Sequence, residues 1–218
     1  MPKFLIELSK TPKAREWIKR ITDDFENMES HDIGKDFIVG KKEMNKKTMD
    51  LKIAVRKETD DDAAAITEVT IAAFKTLEIS SHTEQFIIKA LRAHKALTAS
   101  LVAEVAGRIV GHIAFSPVTI SDGTRNWYGL GPVSVMPGYQ RRGIGKTLVR
   151  EGLSRLKEMG ARGCCLVGHP AYYPQFGFEN IPGLVHEGVP QEVFFALSFD
   201  GDRPQGTVLF HKGFHADS

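Results

Sequence analysis

From residue 51 onward, apolar positions recur with two periods, and the switches between them mark out the elements. A strand at Leu51–Lys57 leads into a helix opened by Thr59-Asp60, with Ala63, Ile66, Val69, Ala73 and Leu77 at helical spacing. Ser81-His82-Thr83-Glu84 has the form of a capping box and opens a second helix carrying Phe86, Ile87, Ala90 and Leu91. Two strands follow, Leu97–Val105 and Arg108–Ile120, joined by a hairpin turn at Ala106-Gly107. Asp122-Gly123 turns the chain into a strand ending at Val135. A third helix then carries Ile144, Leu148, Val149, Leu156 and Met159 on one side and stops at Gly160. A buried strand at Gly163–Gly168 comes next, and strands at Glu192–Phe199 and Thr207–Phe210 close the chain around Asp200-Gly201-Asp202. The order is β-α-α-β-β-β-α-β-α-β. It predicts an α/β (α+β) fold: a mixed, largely antiparallel central sheet with helices on both faces.

Residues 1–50 read differently. They hold 11 Lys/Arg and 10 Asp/Glu, and end in the lysine-rich run Lys41 to Lys47. Phe4–Leu8 and Phe37–Val39 suit short strands. Thr11-Pro12 offers an N-cap and an N1 proline for a helix with Ala14, Trp17, Ile18, Ile21 and Phe25 on one face. The division expected is an N-terminal extension over 1–50 and a single domain over 51–218, with Met49 as an alternative start. The apolar face of the extension needs cover, either from its own domain or from a second copy in a homodimer; a partly disordered tail is the competing reading.

Composition narrows the function classes. The formal charge of +2 in 218 residues is too small, and too evenly spread, for a nucleic-acid binder. No window approaches a membrane span, and no secretory signal opens the chain. The two cysteines, Cys164 and Cys165, are adjacent on one strand and point to opposite faces, so they form no disulfide framework. A reducing cytoplasm is the expected location.

The chemistry concentrates in Gly129 to Gly152. The strand there contains Gly129, Gly131 and Pro132, residues that make a strand bulge or part from its neighbour. The loop Gln140-Arg141-Arg142-Gly143-Ile144-Gly145 then opens a helix. Glycines at a helix N-terminus leave amides unpaired and let a phosphate come close, and the helix dipole favours negative charge there. Arg141, Arg142 and Lys146 add cations. Gly145-Lys146-Thr147 imitates a nucleotide-binding P-loop, but that motif needs glycine where Gln140 stands. The dinucleotide fingerprint fails because Leu148 occupies its third glycine position. A pyrophosphate cradle for neither ATP nor NAD remains.

The run Val135-Met136-Pro137-Gly138-Tyr139-Gln140-Arg141-Arg142-Gly143-Ile144-Gly145 resembles the acetyl-CoA signature of the GNAT N-acetyltransferase superfamily. Ala171 to Phe178, with Tyr172-Tyr173 and Gly177-Phe178, is similar to a second element of that superfamily. Val167–Phe178, Val189-Pro190, Phe194–Leu197 and Gly206–Phe210 are similar to a bacterial branch of predicted N-acetyltransferases. His169 departs from that branch, where a small polar residue is usual.

The resemblance implies a sheet splayed between its fourth and fifth strands, with acetyl-CoA as acyl donor and no metal. Val133, Ser134 and Val135 would lie along the pantetheine arm, with the Val133 N–H on the thioester carbonyl. Gln140, Arg141, Arg142, Gly143, Ile144, Gly145 and Lys146 would hold the pyrophosphate. Tyr173 would protonate the departing thiolate, a task suited to a phenol whose ordinary pKa is about 10; Tyr172 reads as a rim or core aromatic. The reaction implied is direct attack by an amine in a ternary complex. The acceptor would be an amine on a small molecule, peptide or protein, lodged near residues 75–83 and 169–190, which include His82, His186 and Glu187. An acyl-CoA-binding protein without turnover is the other reading. His112, Glu104 and His169 are the titratable groups nearest to a general base, and each also reads as an ordinary strand residue. Ser134 and the cysteines lack the surroundings of a covalent nucleophile. His211 and His215 stand i, i+4 with no second ligand cluster.

Overall fold

The computed structural model describes residues 52–75, 80 and 82–218. The expectations for residues 1–51, for Leu77 and for a cap at Ser81 lie outside them. The elements are β1 (Ile53–Lys57), α1 (Ala63–Phe74), α2 (Glu84–Ala93), β2 (Ala99–Val105), β3 (Arg108–Ile120), β4 (Trp127–Val135), α3 (Ile144–Glu158), β5 (Gly163–Val167), β6 (Leu184–Val185), β7 (Phe194–Ser198) and β8 (Gly206–Phe210). The sheet runs β1-β2-β3-β4-β5-β7, and β8 joins the end of β3 to β6. All pairs are antiparallel except β4–β5 and β6–β8.

Alternation along β2 shows how the layers form. Leu101 and Ala103 point into a core with Leu148, Val149 and Leu156 of α3, whereas Val102 meets Ile66 of α1 and Ile88 of α2 on the other face. The tandem cysteines separate in the same way, Cys164 toward the α3 side and Cys165 toward a cluster with Trp127, Phe194 and Val208; both are free thiols. Ala106 and Gly107 both take positive φ, as a two-residue hairpin turn requires.

Four details depart from the sequence pattern. The helix expected between β5 and the closing strands is a single 3-10 turn, Tyr173–Phe176, cut short because Pro174 removes an amide and Gly177 turns left-handed. The strand expected from Glu192 opens as a 3-10 turn at Gln191–Val193 and becomes extended only at Phe194. On α2 the buried positions are Ile88 and Leu91 rather than Phe86 and Ile87, because tertiary contact chooses one stripe from a broad apolar face. Met159 is exposed, since α3 has already ended at Glu158. At the start of α2 the N-cap is Thr83, and the Ser80 hydroxyl donates to Glu84 at 2.6 Å.

Close packing of α3 on the sheet depends on Gly152, where a Cβ would overlap the ring edge of fully buried Phe115. Gly152→Val is therefore expected to lower unfolding stability by about 1–3 kcal/mol in urea titrations. Gly138→Ala, in open space, serves as the near-neutral control.

Candidate active site

Strand β4 has two different edges. Its β5 edge is paired only at Trp127, Tyr128 and Gly129, opposite Gly163, Cys164 and Cys165, and beyond Gly129 the two strands part. On the β3 edge the register jumps between Ile113, opposite Val133, and Phe115, opposite Leu130, so that Gly131 and Pro132 form a bulge. The Met136 amide donates to the Val110 carbonyl at 2.8 Å. Antiparallel neighbours alternate between bonded and non-bonded pairs, so Ser134–His112 is a bonded pair, while Val133–Ile113 and Val135–Gly111 are not. The backbone groups of Val133 and Val135 consequently face the gap that β5 has vacated. Ser134 is turned away from it: its backbone is engaged with β3, and its buried hydroxyl lies 3.2 Å from the Thr70 hydroxyl on α1.

The loop after β4 is folded back onto the strand. Gln140 Nε2 donates to the Val135 carbonyl at 3.0 Å, so this side chain shapes the turn. Arg141 and Gly143 take left-handed backbone, which at Gly143 strongly favours glycine. The buried Ile144 side chain anchors the loop in the core and leaves only its amide for a ligand. Thr147 is the first residue to close the helix ladder, donating to Gly143 O at 2.9 Å. Among the described residues the amides of Arg142, Gly143, Ile144, Gly145 and Lys146 have no acceptor. Arg141, Arg142 and Lys146 are exposed beside them, with Arg142 5.8 Å above the Tyr139 ring.

Gly145 joins this cradle to the gap. A Cβ there would lie 3.7 Å from Val135 and 3.2 Å from the Tyr172 hydroxyl. Tyr172, which sequence pattern treats as a bystander, thus reaches the helix start. Tyr173 is the more deeply set of the pair. Its ring packs edge-on to Tyr172 at 5.1 Å and Phe178 at 5.9 Å, and lies tilted 6.4 Å from Phe195, over the bare backbone of Gly168. Burial raises the pKa of both phenols, and at Tyr173 the neighbouring Tyr172 and Cys164 raise it further, so both remain protonated at neutral pH. Burial likewise raises both cysteine thiols and makes them poor nucleophiles.

The three base candidates lie in different places. Glu104 is held by Arg56 at 2.6 Å, near the outer edge of the sheet. His169 is tied into its loop through Nδ1, which accepts from the Ala171 amide at 3.0 Å. His112 belongs to a buried network that sequence reading missed, although polar Ser100 and His112 at inward positions of apolar strands signal it. The Ser100 hydroxyl lies 2.5 Å from a Glu58 oxygen and 2.8 Å from His112 Nε2, and Arg92 makes two bonds to the same carboxylate. Ser100 has one proton and gives it to Glu58, so its oxygen accepts from His112 Nε2–H. Nδ1 then carries the lone pair, and it is buried with no hydrogen-bond partner. Burial lowers the His112 pKa against the opposing pull of Glu58. Burial alone would raise Glu58, but bonds from His112, Arg92 and Ser100 bring it down to about 2.

Comparison with known proteins identifies the family. Residues 54–181 match the acetyltransferase (GNAT) domain family, so the chain belongs to the GNAT acetyltransferases, an acyltransferase class. It is 35% identical over 126 residues to the uncharacterized N-acetyltransferase YhbS of Escherichia coli K12, covering 57% of this chain and 72% of that protein. A Brucella melitensis GNAT acetyltransferase crystallised with acetyl-CoA superposes with a TM-score of 0.67 at 49% identity, covering 74% of this chain and 97% of that one. The Escherichia coli YhbS crystal structure with CoA gives a TM-score of 0.69 at 30% identity, covering 77% and 94%. No helix among the described residues is long and apolar enough to cross a membrane.

The buried network has a pH signature. An imidazole held neutral in the fold binds no proton where the unfolded chain does, so its stabilisation is complete above its ordinary pKa of 6.5 and lost as pH falls below it. Glu58 contributes above 4.5 and loses its contribution as pH falls toward 2. Unfolding free energy is therefore expected to drop between pH 7 and 5, with His112 supplying up to about 1.4 kcal/mol per pH unit. His112→Gln should flatten the slope by that share, leaving the part due to His186, His211 and His215, which the fold also holds below the usual imidazole pKa. Urea titrations across this range check it, and an unchanged slope would mean that His112 is charged in the fold.

Proposed function

We propose that this protein transfers the acetyl group of acetyl-CoA to a primary amine by direct attack in a ternary complex. The observation that carries the reading is the meeting of two backbone surfaces at Gly145: the edge of Val133 and Val135 that β5 leaves without a partner strand, and the unpaired amides that open α3. One surface suits the amide-bearing pantetheine arm, which pairs with it as an added strand would. The other suits a pyrophosphate. Together they suit coenzyme A better than a nucleotide alone, which has no amide-bearing arm to pair with β4. The relatives crystallised with acetyl-CoA and with CoA support the same assignment.

In this reading the amides of Arg142 to Lys146 bind the pyrophosphate, and the exposed cations Arg141, Arg142 and Lys146 neutralise it. Gln140 holds the loop in shape, and Ile144 anchors it from below. The Val133 N–H donates to the thioester oxygen as charge develops there. The neutral amine attacks the carbonyl carbon, the C–S bond breaks, the nitrogen gives up one proton to solvent, and Tyr173, a protonated phenol, gives its proton to the departing sulfur and regains one from solvent. The acceptor reaches the carbonyl from the face covered by α1 and α2, opposite the α3 face.

Titration calorimetry with CoA and acetyl-CoA tests the cradle. Gly145→Glu is expected to abolish binding, because its carboxylate would occupy the anion site, while the melting temperature changes little. Retained micromolar affinity in that variant would refute the site. Tyr173→Phe is expected to keep its affinity for acetyl-CoA and lose roughly a hundredfold or more in turnover, read as thiol release with a panel of polyamines, amino acids and peptides. CoA binding without thiol release from any amine would instead identify an acyl-CoA-binding protein.

A further inference from the structure

The C-terminal 3-10 turn, Lys212–His215, lies across the sheet from the cradle. Gly213 sits against Leu91 of α2, where a Cβ would come within 3.0 Å of the leucine side chain, so the turn packs on the face opposite α3. Phe214 follows. Its Cε1 lies 3.7 Å from where a Cβ on Gly131 would sit, at the bulge of β4 and two residues before Val133. Gly129 and Gly131 present no side chain on this stretch of β4, and the Phe214 ring lies against Gly131 on that face.

The ring is firmly backed. Phe210 stands edge-on to it at 5.1 Å and itself packs over bare Gly129. His186 braces Phe210 at 4.9 Å, with its Nδ1 fixed 2.9 Å from the Val208 carbonyl. The turn is closed from within, because His211 Nδ1 accepts the Gly213 amide at 3.0 Å. Phe214 remains only half-buried.

We infer that Phe214 is the end wall of the acyl site and restricts the donor to short-chain acyl-CoA thioesters. The inference rests on the acyl-CoA reading above. With the pyrophosphate at the start of α3 and the pantetheine arm between β4 and β5, an acyl group beyond the Val133 amide points toward the opposite face. Phe214 stands there, on a turn braced against movement by α2 and β8. An acetyl group fits in front of the ring, whereas each further methylene has to displace a supported aromatic.

The test needs no acceptor amine. Calorimetry on the full chain compares CoA, acetyl-CoA, butyryl-CoA and hexanoyl-CoA. The wild type is expected to bind hexanoyl-CoA about tenfold or more weaker than acetyl-CoA. Phe214→Ala should remove that discrimination, and Phe214→Leu should reduce it. Both variants should leave the affinity for CoA itself unchanged, an outcome that general loosening of the fold would not give. If the alanine variant does not fold, the leucine variant reads the same ratio. Equal binding of hexanoyl-CoA and acetyl-CoA by the wild type, or full discrimination in a folded Phe214 variant, would overturn the inference. Failure of CoA to bind at all would instead overturn the cradle assignment.

Discussion

The parting of β4 from β5 after Gly129 is the constraint on which the rest of the site depends. A sheet normally satisfies both edges of an internal strand, and an unpaired edge inside a protein costs free energy. Here the bulge at Gly131 and Pro132 bends β4 away, and the edge of Val133 and Val135 is left facing a gap. The surrounding structure stabilises that arrangement on three sides. Gln140 takes the Val135 carbonyl, Thr70 meets Ser134 from α1, and the β3 ladder holds the other edge of β4 in register.

The two faces of the sheet divide the work. On the α3 side, glycine backbone and exposed cations gather anion-binding groups at one helix end. On the α1–α2 side, a buried network of Glu58, Arg92, Ser100 and His112 ties β1, β2 and β3 to α2. This network is charged and almost fully satisfied, with one lone pair over, on His112 Nδ1. A buried ion cluster of this kind specifies geometry more than it adds stability, because desolvation offsets much of its attraction. It ties α2 to the sheet through Arg92 and Glu58, and α2 in turn packs on the C-terminal turn through Leu91 and Gly213.

Legibility differed between the cradle and the aromatic segment for a physical reason. The cradle is local: a strand end, a turn and a helix start within a dozen residues, so glycine spacing and charge describe it almost completely. Tyr172 and Tyr173 are neighbours whose roles depend on which side of a 3-10 turn each one leaves. Pro174 and Gly177 create that turn, and periodicity does not register so short an element. Ser134 looked equivalent to Val133 and Val135 along the chain. Only the pairing of Met136 with Val110 sets the parity that turns Ser134 away from the gap.

What the sequence by itself determined is the part governed by near neighbours: the mixed order of strands and helices as far as β5, the hairpin at Ala106-Gly107, the α3 stripe, the glycine loop and its cations. Backbone sterics and side-chain period act over a few residues, and those residues are all present in one stretch of chain. The tertiary structure alone decided which edge of β4 stays open, which of two adjacent phenols reaches Gly145, how Glu58, Arg92, Ser100 and His112 converge, and why Phe214 faces the bulge. These are contacts between segments tens of residues apart, and their geometry follows from packing and strand register, which no local pattern encodes.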